Sequence, residues 1–486
     1  LAALLCIVGE LNRGRARCKL DRPLERLMRE DLFGNPVSHA ADEALAGVND
    51  FISGFLAYHP RAVNILAAAE AAPDCCLAQV YAGMLWMFLE SPEAPAKAQA
   101  SIDRARVAAA HAHPREQRAL AALQAWAEDD IPGALALGEE GVREHPRDLA
   151  LMKISQYHAF NRGDALTMLR VARPSQQAAV EVPQVHGMMA FAYEQSHLLG
   201  EAEASARRAL SLIPAEPWAE HALAHVMLTQ GRIAEGGDFM ARASAGWAGL
   251  NSFMSTHNWW HLALFCISQD RMDEALAIYD RHVWGIDPGY SQDQVGAVSL
   301  LARLECAGVD IGARWQALAP FLAARRGDVV APFLTMQYLY GLARADRPEA
   351  DDLIAAVASK AADAPAHSRS AWADVALPAC RALLAHARGD YGACIADMSP
   401  ALPRMALIGG SHAQRDLFEQ ILLDALLKQS DLSAAQQMLE QRRRFDPDGA
   451  PLNRALAGVY RKAGLDPEAL AAQARADRTR ALFTPF

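Results

Sequence analysis

Two prolines set the frame of this chain. Pro146 and Pro214 each follow a stretch with helical periodicity, and the spacing between them divides into two equal periods of thirty-four. Counting back from Pro214 as the thirty-second position starts a unit at Pro183, with Ala190, Ala202 and Ala209 at the eighth, twentieth and twenty-seventh places. The next unit, from Pro217, repeats the small residues as Ala224, Gly236 and Ala243, with Gly231 at the turn between its two halves. Small side chains at these offsets let the two helices of a hairpin, and the hairpin after it, approach closely. A chain built this way stacks hairpin on hairpin.

Thirty-four residues is the period of the tetratricopeptide repeat. A further unit from Thr256 supplies Ala263 and Ala275 but arrives five residues late, so an insertion lies within 244–255, carrying Trp247, Gly249 and Asn251. It reads as a loop or a lengthened helix end. A weaker unit runs from Arg115 to Pro146, and the one between, 149–182, reads as degenerate because Pro174 shortens its second helix. Before these units, Asp21-Arg22-Pro23 and Gly34-Asn35-Pro36-Val37 are turn signals, residues 38–42 look like a capped helix start, and Pro92 and Pro95 hold back the next helix to residue 98. After Asp287-Pro288-Gly289 the period is lost, although helical segments continue to a hairpin across Gly389-Asp390 and regular units near Pro447. The expected fold is all-α, a right-handed α-solenoid of tetratricopeptide-like hairpins. It comprises an N-terminal helical region over 1–100, repeats over 101–286 and C-terminal repeats over 287–486, in one continuous superhelix.

Composition agrees. At 486 residues the chain exceeds the size at which a single core keeps growing, hydrophobic residues reach 52%, and alternating β-branched runs are almost missing. A net charge of −10 gives no attraction to phosphate backbones, so nucleic acid is not an expected partner. Basic runs at 13–19 and 442–444 read as solvated faces or helix ends. None of the eight cysteines forms a Cys-x-x-Cys pair, which fits reduced thiols in a cytoplasmic protein. The apolar start, 1–8, is shorter than a membrane span and lacks a signal-peptide pattern, so no membrane is expected. The oligomeric state is open.

Two first helices carry histidines four residues apart, His221 with His225 and His257 with His261, and that spacing stacks each pair on one helix face. In a tetratricopeptide hairpin the second, fifth, ninth and twelfth positions of the first helix face the concave side. His221 and His225 fall on the fifth and ninth, His257 on the second with His261 one turn on, and Glu194 on the twelfth of the preceding unit. Four imidazoles could converge there and hold a divalent ion such as zinc, with Glu194 or Glu220 as a further carboxylate. Trp259 and Trp260 are adjacent, so one faces the core and the other the groove. In Gly409-Gly410-Ser411 no P-loop lysine follows, but Ser411 can cap a helix beginning at His412 with Gln414 completing the box.

Several strings together resemble the tetratricopeptide repeat protein 38 family. They are His221-Ala222-Leu223-Ala224-His225, His257-Asn258-Trp259-Trp260-His261, and Ile408-Gly409-Gly410-Ser411-His412-Ala413-Gln414-Arg415-Asp416, with Gly308 to Trp315 and Leu377-Pro378-Ala379-Cys380 between them. The resemblance spans about 115–447. It implies an elongated helical superstructure and marks the histidine pairs, Trp260, Gln414, Arg415 and Asp416 as motif positions, without implying an activity.

The first functional reading is a repeat protein that binds a small molecule or a peptide in a concave groove lined by histidine and tryptophan, with Glu194, Trp260, Gln414, Arg415 and Asp416 as ligand contacts. The alternative is an enzyme whose His221, His225, His257 and His261 hold a metal or shuttle protons in a closed pocket. A third is a structural assembly subunit.

Overall fold

The computed structural model describes residues 28–483, so the apolar start, the basic run at 13–19, Cys6, Cys18 and the turn at 21–23 lie outside the described residues. Within that span 24 α-helices follow one another in twelve consecutive pairs, from Asp42–Ala57 with Asn64–Ala71 to Ala450–Lys462 with Asp466–Phe483. First helices also pack on first helices, in an inner row that runs through Pro183–Gln195, Pro217–Thr229, Ser252–Ser268, Ser291–Cys306 and Pro332–Arg344. This is the expected tetratricopeptide-like α-solenoid. Its small positions are where close approach demands them: Ala190, Ala202, Ala209, Ala224, Ala263 and Ala275 are fully buried, and a Cβ on Gly236 would meet the Phe265 ring at 2.3 Å.

The hairpins share one backbone device, a left-handed residue between their two helices, which closes the first helix and lets the second turn back. It falls at Asp129, Gly163, His197 and Gly231, evenly spaced by one repeat period, then at Asp270, Gly308, Asp346, Gly389, Ser430 and Gly464. The second helices that follow begin at Ile131, Ala165, Leu199 and Ile233, with the same even spacing. The unit at 149–182 is therefore in full register. Its second helix, Ala165–Ala178, runs through Pro174 instead of stopping, at the cost of one intrahelical hydrogen bond from the missing N–H. Likewise Pro95 does not delay its helix, which begins at Ala94, because a proline in the first turn removes an N–H that has no helical partner anyway.

These turns also build the next level of structure. Those of the first seven hairpins, where Tyr58 and Glu90 hold the same place in the first two, rest on a part of the chain five or six hairpins later, so successive turns of the superhelix touch. The Tyr58 carbonyl accepts from the Asn251 N–H at 2.7 Å, Glu90 accepts from Ser291 and Gln292 at 3.0 and 2.6 Å, and Asp129 lies 3.7 Å from the Lys360 ammonium. Asp270 accepts from Arg454 at 2.6 Å. At Gly163 and Gly409 backbone meets backbone: a Cβ on Gly163 would sit 2.1 Å from the Ala406 carbonyl oxygen, and one on Gly409 would sit 2.7 Å from that of Asn161. The concave side is consequently crossed by contacts and is not a long open trough.

Beside the all-helical stack stands one short piece of sheet. Met28–Glu30 and Pro36–Ser38 pair as an antiparallel hairpin, with Arg29 opposite Val37. Asp31 folds the turn by accepting from the N–H groups of Phe33 and Asn35, both at 2.9 Å, and is in turn held 3.1 Å from the buried Arg115, whose Nε binds Asp148 at 2.6 Å. Ser38 does not cap the following helix. Its hydroxyl accepts from His113 at 2.8 Å, and the helix starts at Asp42 behind Ala41 with no side-chain cap.

One buried carboxyl anchors the helix that carries His257. Asp293 accepts from the Asp287 N–H at 3.1 Å and from the Thr256 hydroxyl at 3.3 Å, and burial pushes it from 3.8 up to about 7. The hydrogen bond from Asp287 opposes that rise.

The contact between turns and the buried carboxyl can each be tested. Gly163→Ala and Gly464→Ala both pay for a left-handed Cβ, about 1–2 kcal/mol, but Gly464 has open space around it whereas Gly163 does not. Urea denaturation should show Gly163→Ala losing more stability by at least about 1 kcal/mol, and equal losses would mean the contact between turns contributes nothing. Asp293 keeps its proton when folded over the window from about 4 to about 7, in which the unfolded chain releases it. Its stabilising protonated state is thus complete below that window and lost as pH rises through it. Asp293→Asn should leave stability unchanged near pH 4 and raise it at pH 8, by an amount on the order of a few kcal/mol.

Candidate metal centre

The two helices that carry the histidine pairs are fixed at their starts. Pro217–Thr229 is capped by Glu216, which accepts from the Ala219 N–H at 2.6 Å, and Ser252–Ser268 by Asn251, which accepts from the Met254 N–H at 3.0 Å. The insertion is both a loop and a lengthened helix: a 3-10 turn at Ser244–Gly249, then extra helix from Ser252 ahead of the unit start at Thr256. Its Trp247 is buried and donates to Glu220 at 2.8 Å. Glu220 is thereby turned to the indole and not to the imidazoles. Burial raises its carboxyl to about 7, with the Trp247 bond holding against the rise.

The four imidazoles converge. His225 Nε2 and His257 Nε2 each lie 3.1 Å from His221 Nε2, and ring centroids across the group are 4.5–4.9 Å apart. One nitrogen from each of His221, His225, His257 and His261 falls within 4.8 Å of all the others. Around a tetrahedral zinc with Zn–N of about 2.0–2.1 Å the nitrogens are about 3.3–3.4 Å apart, so the two contacts at 3.1 Å are a few tenths of an ångström short of that spacing. His221, His225 and His261 are fully buried and His257 is half-buried.

Electrostatics keeps these rings neutral. Burial removes the solvation an imidazolium needs and neighbouring rings would share its charge, so His221 and His261 sit well below the ordinary imidazole value and His257 is pushed down to about 3. Each neutral ring offers a lone pair. Hydrogen bonding within the group uses few of them: His261 has no partner for either nitrogen and His221 none for Nδ1 among the described residues. An orphaned buried polar atom costs about 1–3 kcal/mol. A cation at the centre takes one lone pair from every ring.

Glu194 supplies the counter-charge. Its Oε1 lies 3.5 Å from His225 Nδ1 and 2.9 Å from His412 Nε2, and the side chain is fully buried. Burial alone would raise its carboxyl, but His412 and His225 outweigh that and hold it well below the usual carboxylate range. A carboxylate behind a ligating imidazole orients the ring and increases its basicity. His412 also meets the Thr229 hydroxyl at 2.8 Å. Against the cation stands Arg303, whose buried guanidinium is 5.2 Å from the Trp260 ring centre and whose charge depresses His261 further.

The remaining sequence candidates divide. Trp260 is buried against the cluster, stacked on His257 at 5.4 Å, while Trp259 stacks on His282 at 3.8 Å. Gln414 completes the capping box with Ser411, and Arg415 donates back to the Gly410 carbonyl. Both side chains hold the loop that presents His412. Asp416 pairs with Arg442 and lines a cleft of about 630 Å³ whose wall also includes His412, Thr229, Arg303 and Leu264. His412, Thr229 and Arg303 are not singled out by the sequence: Thr229 follows His225 by one turn of the same helix and Arg303 lies on the neighbouring inner helix, while His412 reaches the site only through the superhelical pitch.

Among the described residues no helix is long and apolar enough to cross a membrane. No family model matches the chain. Among solved structures it is similar to human IFIT1, determined as a dimer with PPP-AAAA, at 13% identity over 91% of this chain and 95% of that one, with a TM-score of 0.40. It is similar also to yeast Tom70, at 13% identity over 91% and 90% with a TM-score of 0.34. A third likeness is to the structure of Naa15/Naa10 bound to HypK-THB, at 13% identity over 90% and 68% with a TM-score of 0.25.

Proposed function

We propose that this chain is a tetratricopeptide-type repeat protein that holds a divalent transition metal at His221, His225, His257 and His261 and receives a small organic molecule in the adjoining cleft. The observation that carries the reading is the four ring nitrogens within 4.8 Å of one another, with three of the four rings buried. All-nitrogen donors suit zinc, copper, iron or nickel and not magnesium or calcium, which take oxygen ligands. The cleft, at about 630 Å³, falls in the range of about 300–1,000 Å³ typical of small-molecule sites. The contacts between superhelical turns argue against a peptide laid along the concave face. The net charge of −10 argues against nucleic acid. The strings shared with the tetratricopeptide repeat protein 38 family support placing the chain there, without adding an activity. An ion held by four protein ligands is closed to substrate, so this centre organises the interior and does not itself react.

The full chain, stripped with chelator and titrated with Zn²⁺, should retain at least one ion per molecule after desalting, measured by elemental analysis. His261→Ala should lose that ion while its helical circular dichroism is unchanged, and the bound metal should raise the thermal midpoint of the native chain. A wild-type chain that retains no zinc would falsify the reading.

A further inference from the structure

We infer a second, open metal position at Glu194, His225 and His412, joined to the first through the His225 ring; it rests on the four-histidine reading above. His225 turns Nε2 toward His221 and Nδ1 toward Glu194, so its two nitrogens face two different donor sets. On the Nδ1 side, one atom each from Glu194, His225 and His412 lie within 4.8 Å of one another. Two imidazoles and a carboxylate form a ligand set that leaves a fourth position free, as in zinc sites that activate water.

Three further observations fit an open site. Glu194 is fully buried and its Oε1 faces both rings, so its charge is committed to this spot. His412 is 25% exposed and lines the 630 Å³ cleft, so the free position faces the space where a small molecule enters. The Thr229 hydroxyl, 2.8 Å from His412 Nε2, is placed to hydrogen-bond a water bound there. The loop and helix start that present His412 are held by the Ser411–Gln414 box and by Arg415 on the Gly410 carbonyl, which gives a ligand from a distant hairpin a fixed backbone position.

Bridging asks the neutral His225 ring to lose its one N–H proton, which passes to solvent, leaving an imidazolate with a lone pair on each nitrogen. A dication on either side favours that loss, and the Glu194 carboxylate together with the imidazolate removes two of the four positive charges brought in. The competing arrangement is a carboxylate that merely hydrogen-bonds two histidines, with His412 as a tether between turns.

The experiment is titration of the chelator-stripped full chain with Zn²⁺, read by elemental analysis after desalting, in wild type, His412→Ala, Glu194→Gln and His261→Ala. Two ions per chain in wild type falling to one in both His412→Ala and Glu194→Gln support the inference. Loading wild type with Cu²⁺ should then give an electron paramagnetic resonance intensity below that of two isolated ions, from coupling through the bridge. One ion in wild type that His412→Ala retains and His261→Ala loses overturns the second position and leaves the first standing. Two ions that His412→Ala retains also overturn it, because the second ion then sits elsewhere. No ion in wild type removes both. Glu194→Gln keeps the shape of the side chain, and the thermal midpoints of the stripped variants separate loss of a ligand from loss of fold.

Discussion

The contact between successive turns of the superhelix is the constraint on which the rest depends. In a simple solenoid each hairpin touches only its neighbours, and the concave face stays open. Here the turns at Tyr58, Glu90, Asp129, Gly163 and Asp270 are seated on chain five or six hairpins further on, through hydrogen bonds, ion pairs and a close approach of backbones, Gly163 on Ala406 and Gly409 on Asn161. Glu194 with His412 belongs to the same series. Winding therefore does two things at once: it closes the interior and brings a donor from the eleventh hairpin to histidines of the sixth and seventh.

What winding creates is an unusual electrostatic compartment. Four imidazoles are stripped of water and kept neutral, one carboxylate is kept ionised by its imidazole neighbours, and an arginine stands behind Trp260. Without a cation the compartment contains several polar atoms with no partner in the described chain. The helical stack would have been better stabilised by leucines at those positions. That histidines stand there instead is the physical argument behind the proposed metal centre.

Much of this is legible in the sequence. The periodic spacing of prolines and alanines predicts the hairpins, and the four-residue spacing of the histidines predicts two stacked pairs on neighbouring inner helices. The Ser411–Gln414 box is readable from two letters. The period fades after residue 287 because the left-handed turn residue recurs there at longer and unequal intervals, from Asp270 through Gly308, Asp346 and Gly389 to Ser430. Only the step from Ser430 to Gly464 returns to the regular spacing. In addition Asp129, His197, Asp270, Asp346 and Ser430 occupy a position where glycine would have announced it. The hairpin at 28–38 escapes a local reading, beyond its turn signal, because Asp31 is also anchored by Arg115, far along the chain. The pitch of the superhelix is a sum of small rotations at many interfaces. No single residue encodes it, which is why His412 carries no signal of its place in the site.

Distance along the chain separates the parts of this site in time as well. His412 follows His225 by well over a third of the chain, so a nascent polypeptide leaving the ribosome presents the four clustered imidazoles long before the carboxylate behind them acquires its final neighbour. Hairpins five to seven can stack as soon as they emerge, since each needs only the one before it. The cleft must wait for the C-terminal third to coil back over them. Maturation of the two compartments is thus ordered by translation itself, the inner nest first and the doorway last.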